Sequence, residues 1–580
     1  MSPPPRQANE SLRARTVYDR PINEGVLKMQ AAPRFKRRVK LGLTLLFLAG
    51  CVIGWVGPSH SRPLPASTPP TVEDTLRFLE HSTWGAWGLD GGFFWRAHNA
   101  GFEQFLEEQF NAPMSSYPTL PLYPQTRPED CTGTCQRDNY TMYLLQNRFF
   151  TNALYGEDQL RQRVAFALHQ ILVVSAAEIR LPSWMAPYLQ ILDRNAFGNY
   201  RQLLYEITLN PAMGNYLDMA GNTRTNPNEN YAREILQLFS IGLYRLNPDG
   251  TPQLDEFGRQ IPTFDQDIIN AFSRVFTGWN RAAAPAPGVP NYINPMVPNQ
   301  NQHDVGPKTL LRGVTLPPNQ SAAKDLNDAL DNIFMDPNVG PFIGKQLIQH
   351  LVTSNPSPDY VRRVTAAFDD NGQGVRGDLK AVVRAILLDP EALADRPTPP
   401  TPSSEGHLKH PVVFMLNLLR TFYPRSADGS GLSDGYLNPQ ATAMGMNVFS
   451  PPSVFSYFSP FTGVPGTNLR GPEFGVLNTS TALARANFVN TMVNSRIPVS
   501  ANAPSGTSLD FSGFLWFAQS PELLADGLNT WMMAGRMSPA MRADVIAAVA
   551  AVPAGPDLEV RRIRAAAYLI ATSAQYQVER

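Results

Sequence analysis

Hydrophobic positions recur along most of the chain at the 3.6-residue spacing of an α-helix that buries one face. This pattern predicts helices over 72–80, 101–110, 139–155, 158–175, 197–209, 227–243, 266–277, 322–334, 343–352, 360–368, 379–388, 411–422, 481–491, 521–531, 539–551 and 558–572. The turns Asn247-Pro248-Asp249-Gly250 and Glu256-Phe257-Gly258, between short β-prone pieces, predict a small hairpin. We therefore predict a mainly α fold: a large multi-helix single body with long loops and a small β-hairpin excursion.

The stretch 226–242 has the strongest pattern of a helix start. Asn226 can accept from the first free backbone amides, Pro227 suits the first helical position, and Glu229 stands three residues after the cap. We predict that the helix begins near Pro227. Glu234 falls at the border of its apolar face, where partial desolvation predicts either a cationic partner or a raised carboxyl pKa.

The polar residues Glu229, Arg233 and Glu234 have two interpretations. They can belong to a catalytic cleft. Alternatively, Glu229 caps the helix, and Arg233 and Glu234 form a structural ion-pair set, since such networks are common outside active sites.

Residues 1–50 have the pattern of a signal region. Ten Lys and Arg stand against three Asp and Glu, and a basic cluster directly precedes the apolar run 41–56. A compact signal region would begin at Met29, so we regard Met29 as the candidate true start. Leu48-Ala49-Gly50-Cys51 looks like a bacterial lipobox and predicts a lipid anchor on Cys51.

Two other targeting signals remain open. The apolar run is 16 residues long, close to the roughly 17 needed for a tilted membrane span, so an uncleaved signal anchor is one alternative. Arg37-Arg38 is similar to a twin-arginine signal, although Val39-Lys40-Leu41 fits that consensus poorly. Each predicts a protein of the bacterial cell envelope that faces the periplasm or the exterior. We expect a lipid-anchored or membrane-proximal Pro-rich spacer over 51–71 and a helical domain over 72–580.

Cysteine usage agrees with export. After Cys51 the chain has only Cys131 and Cys135, which flank Thr132-Gly133-Thr134. In an oxidising compartment this pair can form a local disulfide across a tight turn. A metal site would need further cysteine ligands that the chain does not contain.

Charge narrows the class of partner. The whole chain is balanced, but without residues 1–50 it has 39 Lys and Arg against 46 Asp and Glu, a net charge of about −7. That surplus argues against nucleic acid and anionic membrane surfaces as partners.

Two histidine-containing segments are candidates for chemistry. His303, Asp304 and Lys308 share a loop with Gly306 and Pro307, and loops on a rigid scaffold often present functional groups. A structural loop clamp is the alternative. His169 lies in a helix that is apolar almost all round, which predicts a buried neutral histidine; a carboxylate partner such as Glu234 would instead suit it for acid/base work.

The ordered motifs of the chain resemble one family. The matching landmarks are Arg77-Phe78-Leu79, Arg161-Gln162-Arg163-Val164-Ala165-Phe166-Ala167-Leu168-His169-Gln170-Ile171-Leu172-Val173, the 228–242 stretch, Phe276-Thr277-Gly278-Trp279, His303-Asp304-Val305-Gly306-Pro307-Lys308, His410-Pro411-Val412-Val413-Phe414, Phe449-Ser450-Pro451-Pro452 and Ala571-Thr572-Ser573-Ala574-Gln575-Tyr576-Gln577. They resemble the bacterial family catalogued as domain of unknown function 1800. The resemblance implies an exported, mostly helical protein, often encoded beside another exported family, and carries over no established catalytic residue.

The chain departs from the family pattern after Phe449-Ser450-Pro451-Pro452. The family tends to have a Gly-Trp pair there, whereas this chain has Val454-Phe455-Ser456-Tyr457-Phe458. If this aromatic segment lines a pocket, we expect the specificity of that pocket to differ.

Two functional hypotheses follow. The first is an envelope-anchored enzyme, an acid/base or metal-dependent hydrolase acting on polysaccharide or another envelope polymer. Its cleft would gather Glu229, Arg233, Glu234, His303, Asp304 and Lys308, with His303, Asp304 and Glu234 as candidate ligands of a divalent metal. Exposed aromatics would suit stacking on sugar rings, and the candidates are Phe94, Trp95, Tyr457 and Phe458. The second is a non-catalytic envelope scaffold that binds a co-exported partner protein.

Overall fold

The computed structural model describes residues 70–87, 92–393 and 405–579, all within one compact unit, Thr68–Arg580. Its α-helices are α1 Val72–Ser82, α2 Gly92–Ala100, α3 Phe102–Asn111, α4 Thr134–Tyr140, α5 Tyr143–Tyr155, α6 Gln159–Ile171, α7 Pro182–Asn195, α8 Tyr200–Thr208, α9 Pro211–Tyr216, α10 Asn230–Gln237, α11 Gln266–Val275, α12 Ala322–Phe334, α13 Val339–Leu351, α14 Pro358–Asp369, α15 Leu379–Leu387, α16 Pro390–Leu393, α17 Pro411–Thr421, α18 Asn438–Ala443, α19 Thr479–Asn494, α20 Pro521–Met533, α21 Pro539–Ala550 and α22 Leu558–Thr572. The prediction of a mainly α fold is confirmed.

Strands are few and two residues long. They are β1 Trp279–Asn280, β2 Val297–Pro298, β3 Lys308–Thr309, β4 Thr315–Leu316, β5 His407–Leu408, β6 Pro424–Arg425, β7 Ser508–Leu509 and β8 Val578–Glu579. They pair as four antiparallel ribbons, β1 with β2, β3 with β4, β5 with β8 and β6 with β7. The β5–β8 pair sets His407 directly opposite Glu579 and so joins two distant parts of the chain.

The core is built around helices that are buried on almost every side. In α6 twelve of the thirteen residues are buried, all but Arg161, and in α17 all eleven are. Helices of this kind have no face for solvent and become the centre of a layered body. α13 packs against α6, although the two helices are far apart in the sequence.

Local sequence chemistry sets most helix starts. Thr71 and Asp74 form a capping box at α1, and Ser357, Ser520 and Ser538 cap α14, α20 and α21, each ahead of a proline at the first position. The hydrophobic pattern did not predict α7, because Pro182 and Pro187 lie within this helix. Proline in a pattern otherwise indicates a break.

The helix expected from Pro227 begins later, at Asn230. Asn226 lies in a tight turn, where its backbone N–H donates to Thr223 O at 3.2 Å. The Asn230 N–H donates instead to Asn228 Oδ1, at 2.9 Å. The predicted start at Pro227 is therefore wrong, because Asn228 provides the oxygen assigned to Asn226.

The same helix ends at Gln237 rather than at residue 243. Ser240 Oγ donates to Ile235 O at 2.5 Å and takes a carbonyl that a continuing helix would use. Gly242 then adopts a φ of +70°, a left-handed conformation that glycine accepts readily and that turns the chain away.

The hairpin excursion is present over 243–263. Paired bridges Tyr244↔Pro262, Leu246↔Pro252 and Leu254↔Gln260 close it around the two predicted turns.

The predicted disulfide is also present. Cys131 and Cys135 are bonded, with Cα atoms 5.2 Å apart, and Gly133 between them has a φ of +57°.

The targeting predictions fall on residues outside the described part. The signal region 1–50, Met29, Cys51 and almost all of the spacer 51–71 precede residue 70. Among the helices of the described residues, none has the length and hydrophobicity required to cross a membrane.

Candidate functional site

His303 and Lys308 meet at a carboxylate that the sequence pattern did not single out. His303 Nε2 lies 3.0 Å from Asp325 Oδ2, and Lys308 Nζ donates to the same oxygen at 2.7 Å. The other His303 nitrogen, Nδ1, donates to Thr277 O at 2.9 Å. Burial opposes ionisation of Asp325, but hydrogen bonds from His303, Lys308 and Gln320 outweigh it and lower the carboxyl pKa.

Asp304 faces a different partner. Arg274 on α11 donates two hydrogen bonds to the Asp304 carboxylate, at 3.0 and 2.8 Å. Lys308 Nζ donates to Asp304 O at 2.6 Å and to Gly306 O at 2.9 Å. The loop is thereby tied to α11 and α12, which is the clamp geometry described above as the alternative to chemistry.

Replacing Asp325 by Asn should lower the free energy of unfolding by about 3 kcal/mol, because the buried Lys308 would lose its nearer carboxylate, at 2.7 Å, and keep only Asp304 at 3.5 Å. Urea unfolding measures the change. The matched control is Asp328→Asn on the same helix, whose partner Lys324 is exposed; that change should cost under about 1 kcal/mol. Equal losses in the two variants would contradict the clamp.

Glu229 and Arg233 form a separate surface pair. Arg233 donates to Glu229 Oε1 at 2.9 Å, and Gln266 at the start of α11 donates to Glu229 Oε2 at 2.7 Å. Gln266 and Arg274 stand eight residues apart on α11, which is about 12 Å along the helix axis. The structure thus attaches the Glu229 pair and the Asp304 loop to opposite ends of one helix.

Glu229→Gln should change the free energy of unfolding by less than about 1 kcal/mol. Both side chains of the pair are substantially exposed, and solvent screens such pairs. Thermal unfolding at low and high salt checks this, and a loss of several kcal/mol would show a role beyond a surface pair.

Glu234 is buried, and burial raises its carboxyl pKa although the nearby Arg233 charge lowers it. His169 does not take Glu234 as its hydrogen-bond partner: His169 Nδ1 lies 2.9 Å from Tyr188 Oη. Desolvation lowers the pKa of His169 to about 3, so the ring is a neutral core histidine.

The residues predicted as ligands of a metal ion are His303, Asp304 and Glu234. Both nitrogens of His303 already face protein oxygens. Among the residues with described coordinates, no group of three or more His, Cys, Asp or Glu is arranged to hold a metal ion.

A small cavity of about 50 Å³ opens where α6 and α13 meet the aromatic segment 454–458. Amide and imidazole side chains line one side, namely Gln170, Gln346, Gln349 and His350; Val454, Phe455, Ser456 and Phe458 line another; and Glu473 completes the wall. The volume admits a few water molecules. Four of the five residues of the segment 454–458 therefore line a pocket.

Glu473 is held there by a buried row of charged side chains, Glu473, His407, Glu579 and Arg163, which we call the relay. Its Oε1 lies 3.3 Å from His407 Nδ1, and His407 Nε2 lies 3.1 Å from Glu579 Oε2. Arg163 on α6 donates to the second Glu579 oxygen at 3.2 Å. Among the residues that the structure describes, Glu473 Oε2 has only a long contact, 3.4 Å, from Ser354 Oγ.

The relay shifts two pKa values strongly. Burial opposes a charged His407, but the hydrogen bonds and charges of Glu473 and Glu579 outweigh it and raise the pKa of His407 to about 10. Burial likewise opposes ionisation of Glu579, yet Arg163 and His407 lower its pKa to about 2. The histidine is therefore cationic at neutral pH, between carboxylates.

Unpartnered polar atoms mark the cavity. Gln170 Oε1 and Ser456 Oγ are buried and have no hydrogen-bond partner among the described atoms. Ser456, within the segment 454–458, and Phe449, five residues ahead of it, adopt φ values of +67° and +65°. Non-glycine residues rarely hold this conformation, and such strain concentrates at functional sites.

The aromatic candidates divide by exposure. Trp95 is 47% exposed, whereas Phe94, Tyr457 and Phe458 are buried. Tyr457 fixes the segment, since its Oη accepts from the Phe449 N–H at 2.9 Å.

Sequence reasoning missed Glu473, His407 and Glu579 because no local spacing connects them. A weak signal existed: Arg163 and Gln170 both lie in the 161–173 landmark.

Comparison with known proteins places the chain in a family. Residues 79–578 match the model described as "Protein of unknown function (DUF1800)". No curated protein and no solved structure matches the chain. Because the family match spans nearly the whole chain, the protein belongs to the DUF1800 family, whose function is unknown.

Proposed function

We propose that this protein is an exported, envelope-anchored hydrolase that cleaves an envelope polymer, with Glu473 as its acid/base group. One observation carries the proposal: a carboxylate on a water-sized cavity has one oxygen on a cationic histidine and the other almost free. Carboxylates placed so, beside perturbed titratable groups in a concave site, are candidates for acid/base work.

The chemistry needs only water as co-reactant. Glu473 takes a proton from a water in the cavity as the water oxygen bonds to the carbon under attack. The bond to the leaving group breaks, and Glu473 returns the proton to that group. His407 lies 3.3 Å from one oxygen of this carboxylate and holds it in position. His350, whose pKa is lowered by burial, presents a neutral ring to the same space.

The signal pattern of residues 1–50 and the lipobox at Cys51 support export and anchoring. They would bring the cavity to the polymers of the envelope.

The test is isotope incorporation. Full-length protein is incubated in ¹⁸O-water with purified peptidoglycan and with envelope polysaccharide, and the fragments are weighed by mass spectrometry. New ends that carry ¹⁸O, absent with heat-denatured protein, are expected. No fragments from either polymer would overturn the hydrolase proposal.

A second function, a scaffold for a co-exported partner, is favoured by the hairpin excursion. Leu254 and Phe257 are exposed there, with Phe257 72% exposed, and an apolar cluster on a projecting hairpin suits protein contact. Phe257→Asp should then abolish co-purification of the partner and leave polymer cleavage unchanged. Retained co-purification would remove the hairpin from consideration.

A further inference from the structure

A polar groove lies beside the disulfide loop, apart from the cavity of Glu473. Two adjoining hollows of about 680 and 360 Å³ form it, and both are lined by Thr141, Gln146, Asn438 and Pro439. The walls come from α4, α5, α18 and the loop after α6. We propose that this groove binds a neutral polysaccharide chain.

The floor of the groove is an oriented set of amides. Gln146 Nε2 donates to Asn447 Oδ1 at 3.1 Å and to Val448 O at 2.9 Å. Asn438 Nδ2 donates to the same Asn447 oxygen at 2.9 Å, and Asn438 Oδ1 accepts from the Val448 N–H at 3.0 Å. These inner bonds fix which way each amide points.

The outer ends of two amides are left for a ligand. Gln146 Oε1 and Asn447 Nδ2 make no hydrogen bond with any described residue, and both side chains are half-buried in the groove. An acceptor and a donor on two amides that are hydrogen-bonded to each other suit sugar hydroxyls, each of which can both donate and accept. The groove therefore offers sugar hydroxyls partners whose orientation is already set.

Aromatic rings and charge agree with a neutral sugar. Tyr140, Tyr143 and Tyr436 line the groove, all partly exposed, and aromatic faces pack against the apolar faces of sugar rings. Arg137 is neutralised by two hydrogen bonds to Asp138. Within the described lining there is no carboxylate and no lysine, and Arg180 is its remaining cation.

The groove and the cavity are connected by the short stretch of chain 450–454. Ser450 lines the groove and Val454 lines the cavity. Four residues of extended chain span at most about 14 Å. Ala176, in the groove wall, donates its N–H to Phe449 O at 2.8 Å and so fixes the chain directly ahead of Ser450. This inference deepens the proposed function and rests on it where it names the polymer that Glu473 would cleave.

The test is native affinity electrophoresis of the full-length protein in a detergent without a sugar headgroup. Gels contain hydroxyethyl cellulose, dextran or mannan as neutral glycans, or polygalacturonate as an anionic one. At least one neutral glycan should retard the protein. Gln146→Ala should raise the apparent dissociation constant at least about tenfold, since a bound hydroxyl and the Asn447 amide lose a partner.

Because Gln146→Ala also removes internal bonds, a second variant fills the groove without removing any. Ala177→Trp places a ring in the exposed lining, and retardation should be lost. The matched controls are Ala443→Trp and Gln440→Ala on α18, outside the lining, and both should bind like the unaltered protein.

The outcomes distinguish a failure of the groove proposal from a failure of the hydrolase proposal. Absence of retardation by all three neutral glycans, retardation by polygalacturonate alone, or full binding by Ala177→Trp would overturn the groove. Binding that Ala177→Trp abolishes, without ¹⁸O in any product, would retain the groove and remove the hydrolase.

Discussion

Glu473→Gln is expected to lower the rate of polymer cleavage about 10³-fold. The amide keeps the size of the side chain and loses the basic oxygen that would accept the proton of water, and a positioned acid/base group typically contributes 10²- to 10⁴-fold. The measurement is the initial rate of formation of ¹⁸O-labelled ends, at equal amounts of folded protein.

Glu473→Gln could lower the rate in two ways, by removing the acid/base group or by weakening the contact with His407. The control must separate these two effects. Glu579→Gln provides that comparison. Both carboxylates bind the same histidine, at 3.3 and 3.1 Å, but only Glu473 is part of the cavity wall. We expect Glu579→Gln to lower stability and to retain most of the cleavage rate per folded molecule. Equal rate losses would show that the relay is structural, and a Glu473→Gln protein that retains cleavage within tenfold would remove Glu473 from the chemistry.

The helical body could be predicted because its determinants are local. An apolar stripe, a cap and a proline at the first position all lie within one helix, as at α20, where Ser520 caps the chain ahead of Pro521. The disulfide is equally local, since the spacing of Cys131 and Cys135 alone brings the sulfurs within reach. Where the local choice was between two asparagines, at α10, the periodicity could not decide, and the predicted start was three residues early.

The candidate site could be predicted only in part, for a different reason. His407 lies 66 residues from Glu473 and 172 from Glu579. Contacts over such separations depend on how helices pack, and no periodicity in one segment encodes them. The polar stretch at 229–234 stood out because its residues are close in sequence. Closeness in sequence is also what lets Glu229 and Arg233 satisfy one another on a helix surface.

The His303 loop shows the same distinction. Sequence placed His303, Asp304 and Lys308 together, and they are together, but the groups that define their environment are Asp325 and Arg274. With every ring nitrogen and the ammonium group engaged by protein oxygens, the loop closes on itself. The cavity differs because Gln170 and Ser456 keep unpartnered polar atoms there.

The stability of the protein is expected to fall as pH rises from about 7 to 10, and His407→Gln should remove much of that slope. Folding raises the pKa of His407 to about 10, against about 6.5 in an unfolded chain, so the folded state binds the extra proton between these values. Its contribution is therefore complete below pH 6.5 and is lost as pH passes through 10. The slope is at most about 1.4 kcal/mol per pH unit, which amounts to several kcal/mol across the window.

Urea unfolding at pH 6.5, 8 and 9.5 measures the effect for the unaltered protein and the variant. The gap between them should be widest at pH 6.5 and narrow toward pH 10, where the unaltered protein also loses the charge that holds Glu473 and Glu579. His169→Gln is the matched control, because that ring is buried but neutral in both states above pH 7, its pKa being lowered to about 3 by burial. The control should leave the slope unchanged. A constant gap across the three pH values would mean that His407 is not charged in the folded protein, and the charged hydrogen bond proposed to hold Glu473 in position would be ruled out.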